Sequence, residues 1–173
     1  MTAQDHAKSP LVSVVMGSDS DISKMEPCLQ ALDEFAIPYE VEVISAHRTP
    51  DLAHEFARNA EPRGIKVIVA AAGGAAHLAG VFASLTILPV IGMPIAASSL
   101  QGVDSLYSTV QMPPGVPVAA VGIDAARNAG ILAVQILAVS SPELRARLAT
   151  FKKDLAAGVQ ARSKNLKEKL GSA

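Results

Sequence analysis

The chain has 173 residues, half of them hydrophobic and 18% charged, which predicts one domain with a sizeable core and excludes a disordered or low-complexity chain. Fifteen basic residues against sixteen acidic ones leave a net charge of −1, so no protein-wide basic field exists to attract nucleic acid. A single cysteine, Cys28, excludes an internal disulfide and any multi-cysteine zinc site, and is expected to be a buried helix residue in a reducing cytosol.

Residues 1–10 (MTAQDHAKSP) lack the apolar run of a signal peptide and are expected to be extended or disordered. Leu11–Met16 (LVSVVM) is β-branched and apolar and predicts the first strand. After the loop GSDSD a helical pattern runs to about Phe35, with Pro27 inside it expected to kink or restart the helix. Tyr39–Ile44 predicts strand 2, Pro50–Ala60 a helix, and Lys66–Ala71 strand 3. A short apolar helix is expected over Leu78–Ser84, strand 4 over Pro89–Gly92, a helix over Leu100–Val110, strand 5 over Val116–Val121 and a long helix over Ala125–Val139. The last helix begins at Ser141-Pro142, with serine as N-cap and proline in the first turn, and forms a C-terminal extension over about 141–173. Strands that are apolar on both faces and alternate with helices imply a parallel sheet covered on both sides, an α/β chain with a three-layer α/β/α doubly wound sheet. The whole chain, 1–173, is expected to act as one catalytic domain. In such sheets ligands bind beyond the carboxyl ends of the strands, which directs attention to the loops after strands 1, 2 and 3.

From Val67 to Ile123 the only Asp, Glu, Lys or Arg is Asp104. A membrane span needs about 20 mostly apolar residues, but here Gly73, Gly74, Gly80, Pro89, Gly92, Pro94 and Gly102 would repeatedly interrupt it. Buried strands and subunit interfaces account better for so few charges, and a homo-oligomer is expected. The final segment is basic, with eight Lys or Arg and three acidic residues from Glu143 to Lys169. A solvated helix reaching over a neighbouring subunit explains this better than a nucleic-acid arm.

Gly17-Ser18-Asp19-Ser20-Asp21 could bind phosphate or hydroxyl groups through Ser18, Ser20 and the free N–H groups of a helix start, or Asp21 could simply cap that helix. It carries neither a dinucleotide nor a nucleoside-triphosphate glycine fingerprint. In Ser45-Ala46-His47-Arg48-Thr49-Pro50, the Arg48 guanidinium can grip a phosphate. His47 can give and take a proton, since the reference pKa of histidine is about 6.5. In Gly73-Gly74-Ala75-Ala76-His77 the small residues let a planar ligand approach the backbone, with His77 at a helix start. His6, His47, His54 and His77 show no metal-ligand spacing, so no metal site is expected, and the absence of a G-x-S-x-G elbow disfavours a serine hydrolase. His54 reads as an exposed helix residue.

Taken together, MGSDSD (Met16–Asp21), SAHRTP (Ser45–Pro50), AGGAAHL (Ala72–Leu78), LPVIG (Leu88–Gly92), GVDSLYSTVQMP (Gly102–Pro113) and GVPVA (Gly115–Ala119) resemble the class I PurE family, the N5-carboxyaminoimidazole ribonucleotide mutases of purine biosynthesis. The resemblance runs over about Val12–Leu148. It implies a flavodoxin-like fold, a cytoplasmic homo-octamer, no ATP, biotin or metal, and movement of a carboxylate from an exocyclic nitrogen to ring carbon C4. A transient handover from the carboxylating synthetase, without nucleic acid or membrane partners, also belongs to that expectation. Carried over by position, Ser18, Asp21 and Arg48 bind substrate, Ser20 and Ser45 lie in the phosphate and ribose loops, and Gly73 and Gly74 face the imidazole and carboxylate. His47 is the proton-transferring histidine and His77 a second, orienting one.

The sequence departs from the family pattern at Ala71, Ala79, Met93 and Ala120, none of them assigned to chemistry. Two alternatives compete with the mutase. One is the class II branch, which carboxylates aminoimidazole ribonucleotide with free CO2; Arg48 and the AGGAAH loop favour class I over it. The other is a non-catalytic nucleotide-binding module, against which His47 beside an intact phosphate loop argues.

Overall fold

The computed structural model describes residues 9–171, which divide into two compact units meeting at residues 137 and 138. The expected irregular stretch 1–10 lies mostly outside the described residues, as does His6; Ser9 and Pro10 have no regular structure.

The first unit is built on a five-stranded parallel sheet in the order β2-β1-β3-β4-β5. The strands are β1 (Val12–Met16), β2 (Tyr39–Val43), β3 (Val67–Gly73), β4 (Val90–Ile95) and β5 (Ala119–Ala120). The helices are α1 (Ile22–Glu34), α2 (Pro50–Ala60), α3 (Leu78–Ala83), α4 (Val103–Val110) and α5 (Ala126–Ala138), with one 3-10 turn at Asp19–Asp21. Because parallel strands reach each other only by crossovers, each loop leaving a strand's carboxyl end enters a helix, and these loops gather on one edge.

Alternation along the strands divides the core in two. Val15, Ile68, Ala70 and Val90 share one face and pack with Ala53, Ala57 and Ala60 of α2 and Leu78, Ala79 and Phe82 of α3. The intervening residues Val14, Met16, Val67, Val69, Ile91 and Met93 are equally buried and point to the opposite face. Helices α1 and α5 meet closely: a Cβ on Gly130 would stand 2.7 Å from the Cys28 carbonyl oxygen. Cys28 is fully buried in α1, and burial pushes its thiol up to about 12. Ala71 and Ala79 are both buried, Ala71 in β3 and Ala79 in α3.

Gly92 faces the α3 and α4 side, where an added Cβ would collide with Thr109 Cγ2 and lie 2.9 Å from Val118 Cγ1. Overpacking at so tight a crossing costs about 1–3 kcal/mol. Gly92→Ala is therefore expected to lower the unfolding free energy measured in urea by that amount.

Several expectations need correction. Helix α1 does not restart at Pro27: it is continuous, and its stripe of Met25, Cys28, Ala31 and Leu32 holds both halves to the core despite the missing N–H. Strand β4 passes through Pro94 to Ile95 rather than ending at Gly92. The Pro94 carbonyl accepts from Asp124 N–H (2.9 Å) on the side of β5, so the absent Pro94 N–H faces a position that β5, ending at Ala120, no longer occupies. Strand β5 itself is only two residues long, because Pro113, Pro114, Gly115 and Pro117 leave little backbone able to join a ladder. Helix α4 begins at Val103, since Gln101 (φ 52) and Gly102 (φ 90) are both left-handed.

The second unit is dominated by α6 (Pro142–Lys169). Ser141 caps it by accepting from Leu144 N–H (3.3 Å) with Pro142 in the first turn, as the sequence predicts. None of its described residues is buried, and Leu155, Val159, Leu166 and Leu170 are exposed. Among the described residues no helix is long and apolar enough to cross a membrane.

Candidate active site

Strand β1 delivers Gly17–Asp21 to the carboxyl edge of the sheet. Gly17 N–H donates to the Ala71 carbonyl (3.1 Å), which ties this loop to β3. Ser18 is extended and its hydroxyl oxygen accepts from Ser20 N–H (3.4 Å) and from the Ser20 hydroxyl (2.9 Å). Ser18 thus caps the 3-10 turn that leads into α1. Asp21 makes no capping hydrogen bond and keeps its carboxylate for another partner. Burial raises the Asp21 pKa above the ordinary aspartate value; Lys24 and the Ser20 hydroxyl oppose that rise, while Asp124 and Asp19 add to it.

Strand β2 delivers Ser45–Thr49. The Thr49 hydroxyl donates to the Ser45 carbonyl (2.9 Å) and accepts from Ser45 N–H (3.1 Å), closing the loop before Pro50 opens α2. The Ser45 hydroxyl accepts from Arg48 N–H (3.1 Å) and from Arg48 Nε (3.3 Å), and Arg48 Nη2 donates to the Gly17 carbonyl (2.7 Å). Arg48 therefore bridges the first two loops, its planar fork held in place before any ligand arrives. His54 lies on α2 and is exposed, outside this group.

Strand β3 ends at Gly73, and Gly74 turns left-handed (φ 61). Consecutive tight turns follow, Ala76 N–H to Gly74 carbonyl (2.9 Å) and His77 N–H to Ala75 carbonyl (2.8 Å), and these set His77 at the entry to α3. There His77 Nδ1 meets His47 Nε2 at 2.8 Å, with the rings edge-on at 80° and their centroids 4.9 Å apart. In a bond between two imidazole nitrogens one must donate and the other accept, so the pair can share one proton along a fixed line. Both rings are exposed.

The three loops enclose a cleft of about 440 Å³, a volume suited to a small ligand. Ser18, Ser20, Asp21, Ser45, His47, Arg48, Gly73, Gly74 and His77 all line it. A fourth wall, Ala97 and Ser98 after β4, escapes the sequence reading. The same rule about strand ends would have found it had strand 4 been extended past Pro94. The Ser98 hydroxyl donates to Asp104 Oδ2 (2.6 Å), and that bond holds the Asp104 carboxyl below the usual range. Ala97 explains Gly73: a Cβ on Gly73 would stand 2.6 Å from the Ala97 Cβ.

The cleft can therefore bind an anion at Ser18, Ser20 and Arg48, accept hydroxyl hydrogen bonds at Asp21, seat a flat ring against Gly73 and Gly74, and move a proton at His47. Among the described residues no three of His, Cys, Asp and Glu gather as a metal ion would require.

The family model for AIR carboxylase matches residues 11–158. The N5-carboxyaminoimidazole ribonucleotide mutase of Pyrococcus horikoshii is 53% identical over 162 residues, covering 94% of this chain and 92% of its own. That of Mycobacterium leprae is 57% identical over 159 residues, covering 92% and 93%. A crystal structure of Treponema denticola PurE superposes with a TM-score of 0.83 at 28% identity, covering 91% of this chain and 99% of that one. The loops that build the cleft all fall inside the matched span, and the chain belongs to the AIR carboxylase family.

Proposed function

We propose that the chain catalyses conversion of N5-carboxyaminoimidazole ribonucleotide to 4-carboxy-5-aminoimidazole ribonucleotide in purine biosynthesis. The observation that carries this reading is the convergence of three loops, distant in sequence, on one cleft lined by a histidine pair, a preorganised arginine and two serines. Relatives above 50% identity over nine-tenths of both chains bear the mutase name.

A shift of carboxylate within one molecule needs positioning, exclusion of water and one acid–base group rather than a covalent intermediate. The bond between the exocyclic nitrogen and the carboxylate carbon breaks, its electron pair stays on nitrogen, and CO2 remains in the cleft. His47 gives that nitrogen a proton. C4 of the electron-rich ring then attacks CO2, and His47 takes the C4 proton, which returns the imidazole to its starting state. Ala72, Gly73, Gly74 and Ala75 offer CO2 a small-residue wall. His77 holds the His47 ring and shares its proton across the 2.8 Å bond. The proton, the carboxylate carbon and the electron pair are all accounted for by substrate and His47.

A phosphate monoester carries about −1.5 to −2 charges at pH 7 and seats on Ser18, Ser20 and Arg48. Two guanidinium nitrogens of Arg48 are held by Ser45 and Gly17, and Nη1 has no hydrogen-bond partner among the described residues. Asp21 accepts from the ribose hydroxyls. Because Arg48 binds ground state and transition state alike, Arg48→Ala is expected to raise KM strongly while kcat changes little. Separate measurement of kcat and KM checks this. The function itself is tested by supplying the pure protein with N5-carboxyaminoimidazole ribonucleotide or, separately, with aminoimidazole ribonucleotide and CO2. Turnover of the first alone supports the mutase, turnover of the second supports the carboxylase, and turnover of neither supports a binding module.

The chain works as a cytoplasmic homo-oligomer, an octamer by family resemblance. Supporting this, the charge-poor span exposes Ile87 (84%), Leu100, Val103, Tyr107 (61%) and Val110, three of them in one stripe along α4. A substrate with so labile a carboxylate suits transient handover from the synthetase that makes it. All of the proposed chemistry rests on residues of the first unit.

A further inference from the structure

The cleft's fourth wall is held by a pair of charges that lies outside it. Lys24, on α1, donates through Nζ to the Ala96 carbonyl (2.8 Å) and to Asp124 Oδ2 (2.9 Å). The other Asp124 oxygen, Oδ1, accepts from Ala96 N–H (3.0 Å). One ammonium and one carboxylate thus satisfy both backbone groups of Ala96, the residue just beyond β4. Asp124 is itself in the left-handed region (φ 53), and its own N–H is fixed to the Pro94 carbonyl (2.9 Å). A non-glycine residue held there costs free energy that the surrounding contacts must offset. Both side chains are about one-third exposed, so the pair adds little to stability as an ion pair alone.

Its placement suggests another role. The next residue, Ala97, presses against Gly73 and lines the cleft, followed by Ser98. One helical turn before Lys24 on the same segment stands Asp21. We infer that Lys24 and Asp124 are positioning residues of the mutase reaction: together they clamp the Ala96–Ser98 wall against the Gly73 loop and set the field at Asp21. This rests on the mutase reading and on Asp21 acting as an ionised acceptor.

The field has a definite sign. The Lys24 ammonium favours the Asp21 carboxylate, whereas the Asp124 carboxylate and Asp19 disfavour it. The other charged or titratable residues lining the same cleft are His47, Arg48 and His77, which the variants below leave in place. Lys24→Met deletes the favourable charge and leaves Asp124 unopposed. Asp124→Asn deletes an unfavourable charge and leaves Lys24 unopposed. The two therefore shift Asp21 in opposite directions, although both loosen the same wall.

The test is the pH dependence of kcat/KM for the intact protein and for Lys24→Met, Lys24→Gln, Lys24→Arg and Asp124→Asn, with thermal melts to establish folding. A looser wall costs binding, and KM is expected to rise about tenfold or more in Lys24→Met and in Asp124→Asn, with kcat less affected. The acid limb is expected to move to higher pH in Lys24→Met and to lower pH in Asp124→Asn, while Lys24→Arg restores KM. Lys24→Gln keeps a donor for the Ala96 carbonyl without the charge. It is expected to move the limb upward with a smaller rise in KM, and it stands in for Lys24→Met if that variant fails to fold. Limbs that move the same way in the lysine and aspartate variants, an unmoved limb in Lys24→Gln, or an unchanged KM would overturn the inference. An intact protein without mutase turnover would instead sink the functional reading, so the two failures are distinguishable.

Discussion

His47→Asn is expected to lose mutase turnover by a factor of about 10²–10⁴, the usual contribution of a positioned acid–base group, while affinity for a ribonucleotide monophosphate stays close to that of the intact protein. The separation follows from the geometry. The proposed phosphate and ribose contacts are assigned to Ser18, Ser20, Asp21 and Arg48, none of which depends on the His47 ring: Arg48 is held by Ser45 and Gly17, and Ser20 by Ser18. Asparagine can keep a hydrogen bond toward His77 Nδ1, so the loop need not rearrange. It cannot give a proton to the departing nitrogen and recover one from C4. The readouts are single-turnover rates and calorimetric binding of aminoimidazole ribonucleotide. Near-normal turnover in a folded variant would remove His47 from the mechanism. Loss of binding in step with turnover would make the residue structural instead.

The parts of this site that are legible in the sequence are those set by short-range chemistry. A β-branched run followed by small and polar residues marks a parallel strand and its ligand-facing end, and Met16–Asp21, Ser45–Pro50 and Ala72–Leu78 each show that change within a few positions. The register of β2, β1 and β3 then brings the three loops side by side, a consequence of sheet order. Where local chemistry points the wrong way, the reading stops short. Pro94 looks like the end of a strand, but it is admitted because β5 does not extend beside it. Leu100–Gly102 looks like the start of a helix, but two left-handed residues forbid it. The Ala96–Ser98 wall escapes because Pro94 reads as the end of strand 4, and the bond from Lys24 to Asp124, which spans 100 positions, has no local signature. The small-residue contact between Gly73 and Ala97 is likewise long-range, visible only as a glycine that any side chain would displace.

Asp21→Asn is expected to trade activity for stability. A hydrogen bond to a charged acceptor is worth about 1.5–3 kcal/mol, so loss of the carboxylate is expected to lower kcat/KM by about ten- to a hundredfold or more. Stability is expected to move the other way. The folded-state pKa of Asp21 is raised, chiefly by burial, so the folded protein favours the protonated form more than the unfolded chain does. As pH climbs from the unfolded value of 3.8 through the higher folded value, the native state loses stability relative to the unfolded chain. At neutral pH that loss is complete, and a neutral asparagine escapes it. Nor does the change remove a helix cap, since Asp21 makes no side-chain capping bond at the start of α1 and the 3-10 turn before it is capped by Ser18. Melting temperature at pH 7 should therefore be unchanged or higher in Asp21→Asn, and the difference from the intact protein should shrink as the pH falls below the aspartate range. On the proposed reading, this partly desolvated carboxylate without a capping hydrogen bond serves a ligand's hydroxyls rather than the fold. A lower melting temperature at pH 7, or kcat/KM within a factor of about two of the intact protein, would show that Asp21 serves the fold and not the ligand.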